Sequence, residues 1–497
     1  MSSIRKKGII TTIIIYFGFL LGALNIFLYF KFFRTDYVGL TRVLLDIAVL
    51  LSSFAMVGTN SVVTKFYPYY RSFHKENKSE LLTIAFFFSS LACLLLLAIS
   101  PLTEPLIVRK FIVKAPLLVN YFYLVYPLTF FLVFFQVLEA QTWNINKAVL
   151  SNFLKEVLFR IFNTILILLF IVKLINFHTY AVLFSWQYAG IFVVLLVYLM
   201  YTKQLRMSFK ISSLTKRLWN RMLPYSLFIL AGNVITILSS TIDGIIISSF
   251  DGLDYAAVFM IAQYIASIIV VPYRTAASMS SPIIAQAWKD KDMAKLDSVY
   301  RKTALNLLIA ASFIFTIIWI NYDDVFRLVK PDPIYYLGKP VVFALGMYQI
   351  IELGTGMNSS IIINSRRWKF ELYSNMVLLV CTLPITYFLI KYFGMIGAAY
   401  ATLLSRTIFN GLRYGFLWKV YNLQPFTWKT LLAVLIPVVT YALVHYTINL
   451  SNPLLNMVVR SIVFVVSYAF LLLQLKVSED VQQVYGTIRK RVRNIFG

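Results

Sequence analysis

The stretch Asp243-Gly-Ile-Ile-Ile-Ser-Ser-Phe-Asp-Gly-Leu-Asp254-Tyr255 leads into a long apolar run that ends near Ile283 and carries one charge, Arg274. The run is long enough to cross a bilayer, where a central charge costs at least ~2.5–3.5 kcal/mol. A guanidinium there needs either a partner or a task.

Outward from this segment the same apolar pattern repeats to both ends of the chain. Of 497 residues, 60% are hydrophobic and 13% charged, and the mean hydropathy is +0.77. Soluble domains hold about 45–50% apolar and about 25% charged residues. This composition specifies an all-α integral membrane protein, with runs of about 20 residues matched to a hydrocarbon core of ~30 Å. Fourteen runs are expected, over 9–30, 43–63, 81–101, 117–138, 153–172, 179–201, 223–249, 255–283, 303–321, 340–363, 372–390, 394–417, 430–447 and 454–475.

Charge orients the runs. Alternating the loops puts about 30 Lys/Arg on the side of the termini, about 11 on the other and five within spans, so both termini are expected to be cytoplasmic. Lys203–Arg221 carries six basic residues and Lys289–Lys302 five, whereas Asp251–Asp254 and Ile448–Asn452 carry none. Lys31, Arg34 and Arg42, in the first outer loop, run against the rule. The net charge of +26 is spread over short loops, which excludes a nucleic-acid surface. Arg5-Lys6-Lys7 and the run after it read as an uncleaved first helix, because the run is too long for a signal peptide.

Cys93 and Cys381 lie in apolar runs, and His74, His178 and His445 have no ligand spacing, so neither a disulfide framework nor a metal site is expected. No cofactor is implied. No G-x-x-x-x-G-K-[ST] occurs, which removes P-loop nucleotide hydrolysis. No loop exceeds about 20 residues, which leaves no room for a soluble catalytic domain. An enzyme is therefore not expected, and function is expected to sit among the helices.

The chain also resembles itself. Arg34-Thr-Asp36-Tyr37 returns as Gly252-Leu-Asp254-Tyr255, and Asn146-Lys147 as Asn364-Ser365, both at a shift of 218. His74–Leu81 returns as Lys289–Leu296 at 215. A near-constant shift over six helices implies two parallel repeats. The expected organisation is a six-helix bundle over 1–202, a basic linker over 203–222, a second bundle over 223–420, two further helices over 421–475 and a basic tail over 476–497.

With the fourteen runs and the 6+6+2 division, Phe33-Arg-Thr-Asp-Tyr-Val-Gly39 and the Asp243–Tyr255 stretch resemble the polysaccharide and oligosaccharide flippase family. That family lies in the multidrug/oligosaccharidyl-lipid/polysaccharide superfamily, beside the multidrug and toxin extrusion (MATE) carriers. The resemblance implies a monomer in a bacterial inner membrane. It also implies alternating access and a polyprenyl-diphosphate oligosaccharide passed to the outer leaflet. Such flippases often follow the acid at 243 with a base, and here Gly244 stands there.

Seven ionisable residues stand alone in apolar runs: Asp46, Arg160, Asp243, Arg274, Glu352, Arg406 and Arg460. The functional reading of each competes with snorkelling or local pairing. Asp46 and Arg460 lie near helix ends, and Arg160 follows Glu156 by one turn. Polar stripes are expected on several helices. They comprise Gln263, Ser267, Arg274, Ser278 and Ser281; Asn233, Thr236, Ser240 and Asp243; Gly18, Gly22 and Asn25; and Asp46, Ser53 and Asn60. Two more are Thr402, Arg406, Asn410 and Arg413, and Glu352, Gly356 and Ser359. Small and hydroxyl residues also serve helix packing, the competing reading.

Arg274 and Arg406 are the leading substrate contacts, because a guanidinium fork matches phosphate and does not titrate away; Arg160, Asn25, Asn233 and Gln263 complete the set. Asp243, Glu352 and Asp46 are the candidates for binding a coupling H⁺ or Na⁺. The rival function, a MATE-like cation-coupled exporter, calls for acidic rather than cationic determinants.

Overall fold

The computed structural model describes residues 3–73, 80–145, 147–205, 208, 211–483 and 485–487. Most of the His74–Leu81 loop, Asn146, part of the 203–222 segment and the end of the 476–497 tail lie outside the described residues.

Packing divides the chain into two units, Met1–Ala257 and Val258–Gly497. The first holds α1 (Ser3–Phe32), α2 (Thr35–Ala55), α3 (Thr59–Phe73), α4 (Glu80–Phe111), α5 (Pro116–Tyr121), α6 (Val125–Asn144), α7 (Ala148–Phe153), α8 (Phe159–Ile171), α9 (Phe177–Ser185), α10 (Gln187–Tyr201) and α11 (Ser213–Phe250). A π turn, Leu154–Leu158, joins α7 to α8. The division falls inside α12 (Leu253–Ser267). The second unit continues with α13 (Val271–Asp290), α14 (Met293–Val329), α15 (Lys339–Gly354), α16 (Asn358–Asn364), α17 (Lys369–Tyr421), α18 (Trp428–Thr447) and α19 (Pro453–Gln474).

Twelve stretches among the described residues are long and apolar enough to span a bilayer. One of them, α17, has 53 residues and is two spans: Gly394, with φ 58° and ψ −146°, leaves the helical region in a way that side-chain-bearing residues rarely do. The helical run 148–171, interrupted only by the π turn, adds another. The described residues therefore hold the fourteen spans expected from the sequence.

Several of those spans are broken in a way the apolar pattern does not show. The 43–63 run divides at Val57–Gly58, both at positive φ. The 340–363 run divides at Thr355–Met357, and the 255–283 run passes through a 3₁₀ turn at Ile268–Val270. Pro272, in the first turn of α13, explains the last break, since it supplies no N–H to the turn before it.

The repeated acidic-aromatic pair opens a helix each time, with Asp36 in the first turn of α2 and Asp254 in the first turn of α12. The Thr35 hydroxyl donates to the Asp254 carboxylate. A methyl group on Gly39 would overlap the Leu253 carbonyl, so the two helix starts cross backbone to backbone.

Each unit has its own apolar core. In the first, Val62, Phe66, Leu81, Ala85, Val137 and Met222 join α3, α4, α6 and α11. In the second, Ile284, Leu296, Tyr300, Ile361 and Leu417 join α13, α14, α16 and α17. A further cluster, including Leu308, Ile436, Phe464 and Tyr468, seats α18 and α19 on α14.

Candidate functional site

In the second unit the stripes on α15 and α17 meet. Asn410 Nδ2 donates to Glu352 Oε2 at 2.6 Å, and Arg413 Nη1 lies 3.9 Å from Glu352 Oε1. Arg413 Nε donates to Glu371 Oε2 at 3.1 Å, and its Nη2 pairs with the other oxygen of the same carboxylate. Ser359 Oγ donates to Glu371 Oε1 at 2.8 Å. The guanidinium also lies 3.9 Å from the Phe409 ring centroid, one turn back on its own helix. Arg413 is only 7% exposed, so the two carboxylates compensate its charge in an apolar interior.

Arg406 joins this neighbourhood without a direct bond. The cluster holds two carboxylates against Arg413, whereas Arg406, half-buried on the same helix, makes no hydrogen bond or ion pair among the described residues.

Arg274 is different. It lies in the first turn of α13, just past Pro272, and is exposed. Among the described residues it makes no hydrogen bond and no ion pair. The stripe expected to run through it is interrupted, because Gln263 and Ser267 precede the 3₁₀ turn and Arg274 follows it. Ser267 Oγ donates to the Tyr264 carbonyl of its own helix at 2.6 Å, and Gln263, half-buried, is engaged within the fold. Ser281 lies 3.5 Å from Ser360, and the Ser278 side chain is outside the described set.

In the first unit the expected residues are mostly taken up by helix packing. Asn25 donates to the Arg160 carbonyl at 3.1 Å and accepts from Thr164 at 2.6 Å. Gly18, two stripe positions earlier, sits against the Glu156 carbonyl of the π turn. Arg160 Nη2 pairs with Glu156 at 3.0 Å, the local pairing its spacing allows. Asn25 and Arg160 are therefore brought together, as a seam between α1 and α8.

Asp46 is not alone. α2 begins eight residues before the apolar run does, so Arg42 lies on the same helix one turn earlier, and its Nε donates to Asp46 Oδ2 at 2.7 Å. Gly244 explains itself here: a Cβ at that position would come 2.5 Å from Asp46 Oδ2. The missing base beside Asp243 leaves room for the Arg42–Asp46 pair. Asp243 is buried and engaged within the fold. Thr236 and Ser240 bond back to their own helix, at 2.8 Å each. Asn233 is half-buried and makes no hydrogen bond among the described residues.

Sequence reasoning passed over Glu371, Arg42, Glu139 and Asp324. Glu371 anchors Arg413, and Glu139 lies 3.8 Å from Lys155. Asp324 lies 3.3 Å from Arg460 Nη1, and Arg460 Nε donates to the Ile448 carbonyl at 2.9 Å, so Arg460 fastens α19 to α14. All four lie just past the edges of the expected runs.

A sequence search of curated proteins returns no match. The model of the family described as polysaccharide biosynthesis protein matches residues 4–288, more than half of the chain. The chain belongs to this family. The MatE model also matches residues 229–388. Among solved structures, the lipid II flippase MurJ in its inward closed conformation has a TM-score of 0.74 at 16% identity, covering 94% of this chain and 98% of that one. A MATE family multidrug transporter of the MOP superfamily, in an inward-facing conformation, has a TM-score of 0.63 at 17% identity, over 82% and 94%. An outward-facing MATE structure gives 0.55 at 16%, over 84% and 96%. At such identities the likeness is one of fold. This member of the polysaccharide biosynthesis protein family is thus a multi-pass membrane protein whose fold is that of the MurJ and MATE structures.

Proposed function

We propose that the protein flips a lipid-linked oligosaccharide, joined to its polyprenyl tail by a diphosphate, from the cytoplasmic to the outer leaflet for cell-envelope polysaccharide assembly. The observation that carries this reading is the contrast between Arg274, which has no counter-charge among the described residues, and the acids, which are engaged. Asp46 is held by Arg42, Glu352 by Asn410 and Arg413, and Glu371 by Arg413. A cation exporter needs a free carboxylate to greet its substrate. An anionic headgroup needs a free guanidinium, with a planar fork that donates two hydrogen bonds to phosphate.

Carrying a hydrated diphosphate through hydrocarbon is unfavourable, and fixed cations along its route lower that barrier while the tail stays in lipid. Arg274 is the primary phosphate contact and Arg406 the secondary one. Asn233 and Gln263 are the proposed contacts to sugar hydroxyls. Both termini are cytoplasmic, transport proceeds by alternating access of the bundles 1–202 and 223–420, and the active form is a monomer. Asp243 is the residue best suited to a coupling H⁺ or Na⁺.

The test is deletion of the gene followed by analysis of lipid-linked glycans. The reading expects one such intermediate to accumulate on the cytoplasmic leaflet and to clear on complementation. Loss of resistance to cationic drugs with no change in glycan lipids would instead favour a MATE-like exporter.

A further inference from the structure

A cavity of about 590 Å³ opens in the first unit between the start of α4 and the start of α11. Its walls are apolar, formed mainly by Ile84, Phe87, Phe88 and Trp219, and Lys216 lines it on the polar side. Phe87 is 62% exposed, so the aromatic wall is open to whatever surrounds the helices.

The first turns of α11 are amphipathic. Thr215, Leu218, Met222 and Ser226 are buried at helical spacing, whereas Lys216, Arg217 and Arg221 are exposed. None of these three cations has a hydrogen bond or ion pair among the described residues. The carboxylate lining the cavity, Glu80, is already committed: its Oε2 accepts from the Ser212 N–H at 2.8 Å and from Thr215 Oγ1 at 2.6 Å. Glu80 thus braces the start of α11 and leaves Lys216 as the unmatched charge.

We propose that this cavity holds one acyl chain of an anionic phospholipid, with Lys216 on its headgroup phosphate and Arg217 and Arg221 adding to the local field. Charge complementarity selects the headgroup. Length selects the chain: the lining runs from Glu80 to Ser90 on α4, about 15 Å at ~1.5 Å per residue, which is half of a hydrocarbon core of ~30 Å. A single acyl chain fills one leaflet, whereas a long polyprenyl chain overruns it. The site shares no residue with Arg274 or Arg406, so it stands whether or not the transported lipid has been correctly assigned.

The test uses the full-length protein in nanodiscs of equal parts phosphatidylglycerol and phosphatidylcholine, with retained lipid counted by native mass spectrometry. Wild type is expected to retain phosphatidylglycerol preferentially. Lys216→Gln is expected to reduce that preference ~fivefold, the worth of one basic residue beside an anionic surface. Ser90→Trp, which fills the cavity without touching the cations, is expected to release the lipid, and Lys289→Gln, in the other unit, to change nothing. Equal retention of both lipids by wild type would overturn the proposal, as would unchanged retention in both Lys216→Gln and Ser90→Trp. Displacement of phosphatidylglycerol by an equal amount of a polyprenyl phosphate would overturn it too, giving the cavity to the transported lipid's tail.

Discussion

Arg413 and Arg274 are both arginines on helices of the second unit, and the structure treats them in opposite ways. Arg413 is buried, forked onto Glu371, approached by Glu352 and backed by the Phe409 ring. Arg274 is exposed at a helical break and has no partner among the described residues. A charge that is fully matched inside the protein stabilises one arrangement of helices. A charge left unmatched in an apolar run is available to a substrate, and on that difference we propose a structural role for the first and a substrate contact for the second.

The largest expected effect is on Arg413. Arg413→Met leaves Glu371 and Glu352 without their buried counter-charge, and breaking such a pair typically costs ~3–5 kcal/mol. Thermal unfolding of the detergent-solubilised protein should show that loss, and the double variant Arg413→Met/Glu371→Gln should recover part of it. A full-strength loss in the double variant would break the comparison, because pairing would then not be the reason.

Gly244→Ala tests the other matched pair. Its methyl group meets Asp46 Oδ2, and the overpacking is expected to destabilise by ~1–3 kcal/mol, read from the same unfolding curve. Asn25→Ala should cost about 1–3 kcal/mol, from two hydrogen bonds worth ~0.5–1.5 kcal/mol each, without changing transport per folded molecule. A transport defect larger than the folding defect would return Asn25 to the substrate path. Smallest in stability is Arg274→Ala, expected within ~0.5 kcal/mol of wild type because the exposed side chain has no partner among the described residues.

The spans were legible in the sequence because each is a continuous apolar run. Their breaks were less so. Pro272 is a visible breaker, but Val57 and Thr355–Met357 interrupt helices at positions where apolar content does not change. The charges that decide the site were hidden by the same boundaries. Arg42, Glu139, Glu371 and Asp324 lie one to three residues beyond the expected runs, where helices continue into more polar sequence. Counted as loop charges, they left Asp46 looking alone. Arg42 was recoverable from its i,i+4 spacing to Asp46. Glu371 and Arg413 are 42 residues apart, and no local pattern links them. Arg274 was found because it was isolated in sequence, and among the described residues it has no partner in the fold either.

The most direct measurement is transport of the accumulated lipid-linked glycan by purified protein in vesicles, comparing wild type with Arg274→Ala and Arg274→Lys. A lost charge-assisted hydrogen bond is worth ~1.5–3 kcal/mol, about tenfold or more in rate. The alanine variant is therefore expected to lose at least that factor with an unchanged melting temperature, and the lysine variant, which keeps the charge but not the fork, to fall between the two. Full transport by both variants would contradict the assignment of Arg274 to the headgroup phosphate.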